Sequence, residues 1–287
     1  KNYVERVIIK AIKNDIAVYA AHTNLDNIHS GVNKKICERL GLKNCRILSP
    51  KKGLLRKLVT FSPDEYVEKI RNALFESGAG HIGNYDECSY NVDGYGTFRG
   101  GENTNPFVGE VGKRHRENET RIEMIFSAHR QTQIVSGLLK AHPYEEVAYD
   151  IYPLENIHQQ IGAGMVGELK TDMDEKNFLK HVKSAMKTDC IRHTALLDKK
   201  VKRIAVCGGS GSFLLNDAIR EKADVFITAD FKYHQFFDAD NKIVIADIGH
   251  YESEQFTKEL FAELLLQNFS TFAVHLSETG INPINYF

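Results

Sequence analysis

The stretch DIGHYESEQF, residues 247–256, places an imidazole, His250, and a carboxylate, Glu254, four positions apart. On an α-helix four residues advance about 400°, so both side chains would project from nearly one face, one turn apart, within reach of a common ion. They follow the β-branched run KIVIAD, and in open α/β sheets sites gather beyond the carboxyl ends of strands. Taken alone, the pair equally describes a solvated, hydrogen-bonded couple on a surface helix. Two further strand ends deliver the same chemistry. AAHTNLD (20–26) leaves His22 and Asp26 after IAVYAA, and TADFKYH (228–234) leaves Asp230 and His234 after DVFI. Imidazoles and carboxylates suit Zn, Mn, Fe or Ni. The competing reading has Asp26 capping a turn while His22 and His234 donate to backbone carbonyls.

Strands alternating with helices must position these groups. DIAVYAAH (15–22) reads as a buried strand and SGVNKKICERLGL (30–42) as a helix ending at Gly41. Later, RIAVCGG, SFLLNDAIREK, ADVFITAD, KIVIAD, a helix from about 252 to 269 and TFAVHLS repeat the β-then-α pattern of an α/β layered domain. In that last helix Phe256, Leu260, Phe261 and Leu264 form an ordinary core stripe. Residues 53–156 differ in character. They run from the strand LLRKLVTF through SPDE, where Ser62 is expected to cap a helix with Pro63 at its first position and Glu65 reaching back. A Gly- and Asn-rich middle, the strand TRIEMIF, the helix QTQIVSGLLKAH and the strand VAYDIYPL follow, the order of an inserted α+β ferredoxin-like domain. The expected division is 1–52 with 157–287 as one discontinuous domain, and 53–156 as the insert.

Composition excludes several classes. The 37 basic and 38 acidic residues balance to a net charge of -1 without a charged tail, so no footprint for nucleic acid or anionic lipid is present. Five cysteines (Cys37, Cys45, Cys88, Cys190, Cys207) contain no Cys-x-x-Cys pair, which argues against a disulfide framework and fits the cytoplasm. No apolar run approaches the roughly 20 residues that span a bilayer. The chain opens KNYVERVIIKAIKND, without an initiator methionine and with Val4, Val7, Ile8 and Ile12 on one helical face, so an upstream part is expected to be missing.

Other tempting motifs are weaker. CGGSGS (207–212) could cradle an anion, yet it lacks a P-loop ending and the glycine spacing of a dinucleotide fingerprint; a tight structural turn is the simpler reading. Ser210 and Ser212 lack the surroundings of a nucleophile elbow. HPYEEVAYD carries Glu145, Glu146 and Asp150, which a helix end passing into a strand explains equally well.

Together, AAHTNLD, NPFVGEVG, AHPYEEVAYDIYPL, GAGMVGEL, VCGGSGSFL, TADFKYH and DIGHYESE resemble the GTP cyclohydrolase 1 type 2 homologues, the Nif-three-like proteins, in order and over essentially the whole chain. The match is to longer members whose middle domain is similar to the PII and CutA proteins. The resemblance implies two divalent metal ions per chain in the full-length protein, facing the inside of a ring-shaped homohexamer. Asp26, His250 and Glu254 match three ligand positions, with Glu254 bridging, and His22 and His234 are left for supporting or substrate contacts. Two more ligands are implied by an adjacent histidine pair that these 287 residues lack, so an incomplete site is expected. Ala229 also stands where the family has glycine, which matters only if the backbone there needs positive φ. The expected function is metal-assisted hydrolysis of a small molecule; the alternative is a metal carrier or regulatory adaptor whose insert senses a ligand.

Overall fold

The structure, a computed structural model, describes residues 2–286. The chain divides into two compact units, Lys1–Ser49 with Gln160–Phe287, and Pro50–Gln159.

In the first unit, helix α1 (Tyr3–Lys13) starts at a capping box in which the Asn2 side chain accepts from the Glu5 N–H and Glu5 accepts from the Asn2 N–H. Its apolar stripe, Val4, Val7, Ile8 and Ile12, stays exposed. Residues 15–22, expected as a buried strand, are irregular and largely exposed. Their β-branched residues favour a strand, but a strand also needs a neighbour for its N–H and C=O groups, and among the described residues none pairs with them. Helix α2 (Thr23–Asp26) is a single turn. Helix α3 (Val32–Arg39) stops before Gly41, whose φ of 70° gives the left-handed end its sequence suggests. Strand β1 (Lys43–Pro50) follows.

The second unit runs β2 (Leu55–Pro63), α4 (Val67–Glu76), β3 (Tyr90–Phe98), β4 (His115–Ser127), α5 (Gln131–Ala141) and β5 (Tyr149–Pro153). Its sheet has the order β3-β4-β2-β5, and each pair is antiparallel. Ile70 and Leu74 of α4 and Ile134 and Leu138 of α5 bury one face of it against Leu58, Ile122, Met124 and Phe126. One sequence expectation fails here. Ser62 and Pro63 do not start a helix, because β2 runs on through both, opposite Thr120 and Glu119, and the Ser62 hydroxyl donates instead to the Pro63 carbonyl. The Gly- and Asn-rich middle contains β3, the third element of the expected order.

The first unit resumes with β6 (Gly162–Asp174), α6 (Glu175–Met186), β7 (Arg192–His193), β8 (Lys200–Ser210), α7 (Leu215–Arg220), β9 (Val225–Ala229), β10 (Val244–Asp247), α8 (His250–Glu254) and α9 (Thr257–Asn268). The six-stranded sheet has the order β1-β6-β8-β9-β10-β7. Strands β8, β9 and β10 are parallel to their neighbours in that trio, whereas β6 and β7 run antiparallel to β8 and β10. Successive β8 residues face opposite cores. Ile204 and Val206 pack with Ile36 of α3, Phe178 of α6 and Leu260 of α9; Ala205 and Cys207 pack with Leu215 and Ala218 of α7. Helix α6 is legible residue by residue: Asp174 caps it by accepting from the Asn177 N–H, and Phe178, Val182 and Met186 recur at intervals of one turn on the buried face. The single helix expected over 252–269 is two, broken at Gln255 and Phe256, and TFAVHLS forms no strand.

One buried histidine of the second unit yields a test. His142 accepts from the Tyr144 N–H through Nδ1, so its proton sits on Nε2 and is donated to the Phe61 carbonyl at 2.8 Å. Burial holds its pKa below the ordinary 6.5. A histidine whose folded pKa is depressed binds its proton first in the unfolded state, so stability falls as pH drops from above the unfolded pKa towards the folded one. Urea unfolding of the intact chain should show a less stable second unit at about pH 5.5 than at about pH 7.5, and His142→Gln should flatten that slope. A slope unchanged in His142→Gln would assign the acid sensitivity elsewhere, for instance to His158, which burial also depresses.

Candidate metal centre

Strand β10 ends at Asp247, and the residues after it are set by that carboxylate. Asp247, only 2% exposed, accepts from the Phe231 N–H at 2.9 Å, from the Gly249 N–H at 3.1 Å, and from the Arg192 guanidinium. Gly249 takes a φ of 94°, a turn that a side chain would resist, and α8 begins at the next residue, His250. Both strand ends beyond β9 and β10 are therefore tied to one buried anion.

His250 Nδ1 lies 2.6 Å from Asp230 Oδ2, and its Nε2 faces Glu254 Oε2 at 3.6 Å across one helical turn. The Asp230 hydrogen bond, reinforced by Glu254 and Asp26, raises the His250 pKa. Asp230 itself adopts the left-handed conformation, φ 59°. The positive φ in this turn therefore falls on the aspartate and not on Ala229, so alanine in place of glycine carries no backbone penalty. Ser253 Oγ donates to the His250 carbonyl and accepts from the Gly209 N–H, each at 2.8 Å. Gly209, φ 63°, leaves room for Glu254: a Cβ at that position would sit 2.5 Å from Glu254 Oε1.

Asp26 closes α2 and comes from the other end of the chain. Its backbone is fixed by Asn33, 2% exposed, whose Nδ2 donates to the Asp26 carbonyl and whose Oδ1 accepts from the Gly208 N–H, both at 2.9 Å. The N–H groups of Gly208 and Gly209 are thus engaged by side chains, and CGGS, expected as a tight turn, is the end of β8. His22 precedes α2, with Nδ1 3.2 Å from Thr23 Oγ1.

His22, Asp26, His250 and Glu254 line one cleft of about 250 Å³. His234 does not. Beyond Asp230 the chain buries Phe231 and turns into a 3-10 helix, leaving His234 exposed with its ring edge-on to Tyr233 at 5.2 Å. Sequence reading also passed over Asn33, Ser253 and the pairing of Asp230 with His250. Asn33 had a signal: Val32, Ile36 and Cys37 mark the buried face of α3, and a polar residue on that face needs a partner.

Burial raises the pKa of Asp26 and of Glu254, and the raised Glu254 is further pushed by the Asp26 charge. The same two carboxylates, added to burial, push the Cys207 thiol up to about 12. Two desolvated carboxyl groups and an imidazole with its second nitrogen turned inward are donor types that a divalent cation accepts, and the Asp230–His250 pair has the form of the carboxylate–histidine arrangement that orients metal-ligating imidazoles. In type, the donors fit. In number they do not close a shell, since among the described residues no three His, Cys, Asp or Glu side chains converge into a ready metal-binding group.

The family model for Duf34/NIF3 (NGG1p interacting factor 3) matches residues 1–283. A GTP cyclohydrolase 1 type 2 homolog of Bacillus subtilis is 40% identical over 287 residues, covering 98% of this chain and 77% of that protein. Among solved structures, a Bacillus cereus protein related to NIF3 superposes with a TM-score of 0.82 at 38% identity, covering 98% of this chain and 77% of that one. A Staphylococcus aureus protein gives 0.75 at 28% identity, covering 100% and 77%. With the model spanning both chain segments that build the cleft, and relatives alike in sequence and in fold over nearly the whole length, the chain belongs to the Duf34/NIF3 family.

Proposed function

We propose that the cleft of the first unit binds divalent metal and that the protein is a metal-dependent hydrolase of a small molecule. The observation that carries the reading is the meeting of Asp26, His250 and Glu254, drawn from both ends of the chain, in one cleft where burial has already raised both carboxyl pKa values. Carboxylates drawn out of water into one cleft are stabilised by positive charge, and a divalent ion would supply it. The family resemblance supports two ions, drawn from Zn, Fe, Mn or Ni, with Glu254 shared between them. A divalent ion bound there would supply Lewis acidity towards a carbonyl or phosphoryl oxygen and a water of lowered pKa.

The chain's own residues do the positioning. Asp230 fixes the His250 tautomer with Nε2 towards the cleft, Asn33 holds the Asp26 backbone, and the bare Gly209 backbone leaves Glu254 its place. The name carried by the Bacillus subtilis relative supports ring-opening hydrolysis as the reaction type, but a family label does not establish a reaction, and the proposal stops at hydrolase. On the same resemblance we propose a cytoplasmic homohexamer whose clefts face an internal cavity. The second unit is then a PII/CutA-like, ferredoxin-like insert in a discontinuous layered domain, a reading that its β-α-β-β-α-β order supports.

The three ligands should not be equivalent. Equilibrium dialysis of the full-length protein, with the histidine pair present, against Zn²⁺ or Mn²⁺ should show Glu254→Gln losing most bound metal, whereas His250→Ala and Asp26→Asn each lose part of it. Full metal retention in Glu254→Gln would remove the bridging role and leave a surface His–Glu pair. Because an ion that binds only the folded state stabilises it by mass action, chelator should lower the Tm of metal-loaded wild type and leave that of Glu254→Gln nearly unmoved. A partner that orients a ligand is commonly worth about 10- to 100-fold in metal affinity, so Asp230→Asn should weaken binding by at least about tenfold while leaving the melting curve of the metal-free chain in place. Unaltered affinity would make the Asp230–His250 contact an ordinary surface pair.

A further inference from the structure

We infer that the second unit carries a binding site for a flat aromatic molecule bearing an amine, in the cavity formed by strand β3 and a wall of aromatic rings. The cavity holds about 570 Å³, within the range of small-molecule sites. Its wall is Phe98, Phe107 and Tyr144, with ring centroids 6.3 Å apart for Phe98–Tyr144 and 6.1 Å for Phe107–Tyr144. The rings are braced from behind. Phe107 stands edge-on to Tyr66 at 5.6 Å, and Tyr144 is held through its N–H by the buried His142.

Gly94 and Gly96 lie two apart on β3, on the same face of the strand as Phe98, and leave a bare strip beside that ring, with Phe107 and Tyr144 supplied by other segments. Glycine in a strand interior weakens it, and it recurs where a ligand or another backbone comes close. No second backbone occupies this face: a Cβ on Gly94 would meet only the Glu119 carbonyl, at 3.9 Å, and one on Gly96 would strike the Glu119 carboxylate, 2.2 Å from Oε2. The bare strand therefore gives Glu119 room over the cavity, while its Oε1 accepts from the Tyr144 hydroxyl at 3.0 Å. Four carboxylates against two arginines line the space, and one of the arginines, Arg121, is paired to Glu123 at 2.8 Å. Such a lining repels phosphate and carboxylate ligands. Ring faces favour a cation placed over them, and Glu119 accepts from an amine. An aromatic body lying on the glycine strip and against the rings of Phe98, Phe107 and Tyr144, with its amino group at Glu119, satisfies every one of these features.

This site lies wholly within the second unit and shares no residue with the proposed metal centre, so its test is independent of that reading. Calorimetric titration of the intact 287-residue chain with tryptamine and with indole-3-acetate compares one ring system carrying opposite charges. Tryptamine should bind with a Kd of about 1 mM or tighter, and indole-3-acetate at least about tenfold more weakly. Glu119→Gln and Phe107→Ala should each weaken tryptamine binding tenfold or more, with thermal melts confirming that each variant is folded. Phe107 is half-exposed, so its truncation decides the matter should Glu119→Gln fail to fold. Absence of saturable tryptamine binding, equal affinity for the two probes, or tryptamine binding unaffected by Phe107→Ala would overturn the assignment.

Discussion

A single buried carboxylate governs the geometry of the cleft. Asp247 sits where β10 ends and accepts two backbone N–H groups, one from the turn after β9 and one from the turn after β10, together with the Arg192 guanidinium. An anion this deeply enclosed is tolerated only when its hydrogen bonds are supplied, and supplying them fixes the two turns relative to each other. Asp230 and His250 stand one residue before Phe231 and one after Gly249, so their 2.6 Å contact is inherited from Asp247. The rest of the site depends on this, because His250 in turn sets the direction in which Nε2 faces Glu254.

The cleft differs from the cavity of the second unit in the way that each is held. Around the cleft, side-chain amides and hydroxyls hold backbone: Asn33 spans the Asp26 carbonyl and the Gly208 N–H, and Ser253 joins His250 to Gly209. Around the cavity, rings lean on rings, and Tyr144 is anchored by His142 and Glu119. Hydrogen-bonded backbone keeps a donor set in place to within tenths of an ångström, as ion binding demands. Aromatic packing leaves a wall whose rings tilt at modest cost, which suits an adaptable hydrophobic contact.

What the sequence disclosed follows the same division. Apolar runs bounded by glycine and charge revealed β8, β9 and β10, since a strand buried on both faces has no other way to read. Spacing revealed the turn joining His250 to Glu254. The misreadings share one cause: local pattern was credited where a distant partner decides. Residues 15–22 have the composition of a strand and no ladder; Ser62 has the sequence of a cap and is captured by the pairing of β2 with β4; His234 follows a strand end, yet the turn set by Phe231 carries it outward. Asn33 could be read only as a buried polar residue in need of a partner, and Ser253 not as a site residue at all, because the contacts to Gly208 and Gly209 that give them their roles join segments far apart in the chain.

The way the chain is divided has a kinetic side. Strands β1 and β6 are neighbours in one sheet, yet the whole of the second unit lies between them in sequence. Bringing two such distant segments together from an unfolded chain costs loop-closure entropy before any contact rewards it. The second unit removes most of that cost, because its own first and last strands are partners: Arg56 of β2 stands opposite Pro153 of β5. Once this contiguous lobe has folded, the long intervening chain becomes a short staple, and β1 and β6 are delivered close together. The order of events is therefore written into the connectivity, with the interior lobe collapsing first and the sheet that carries the cleft closing afterwards.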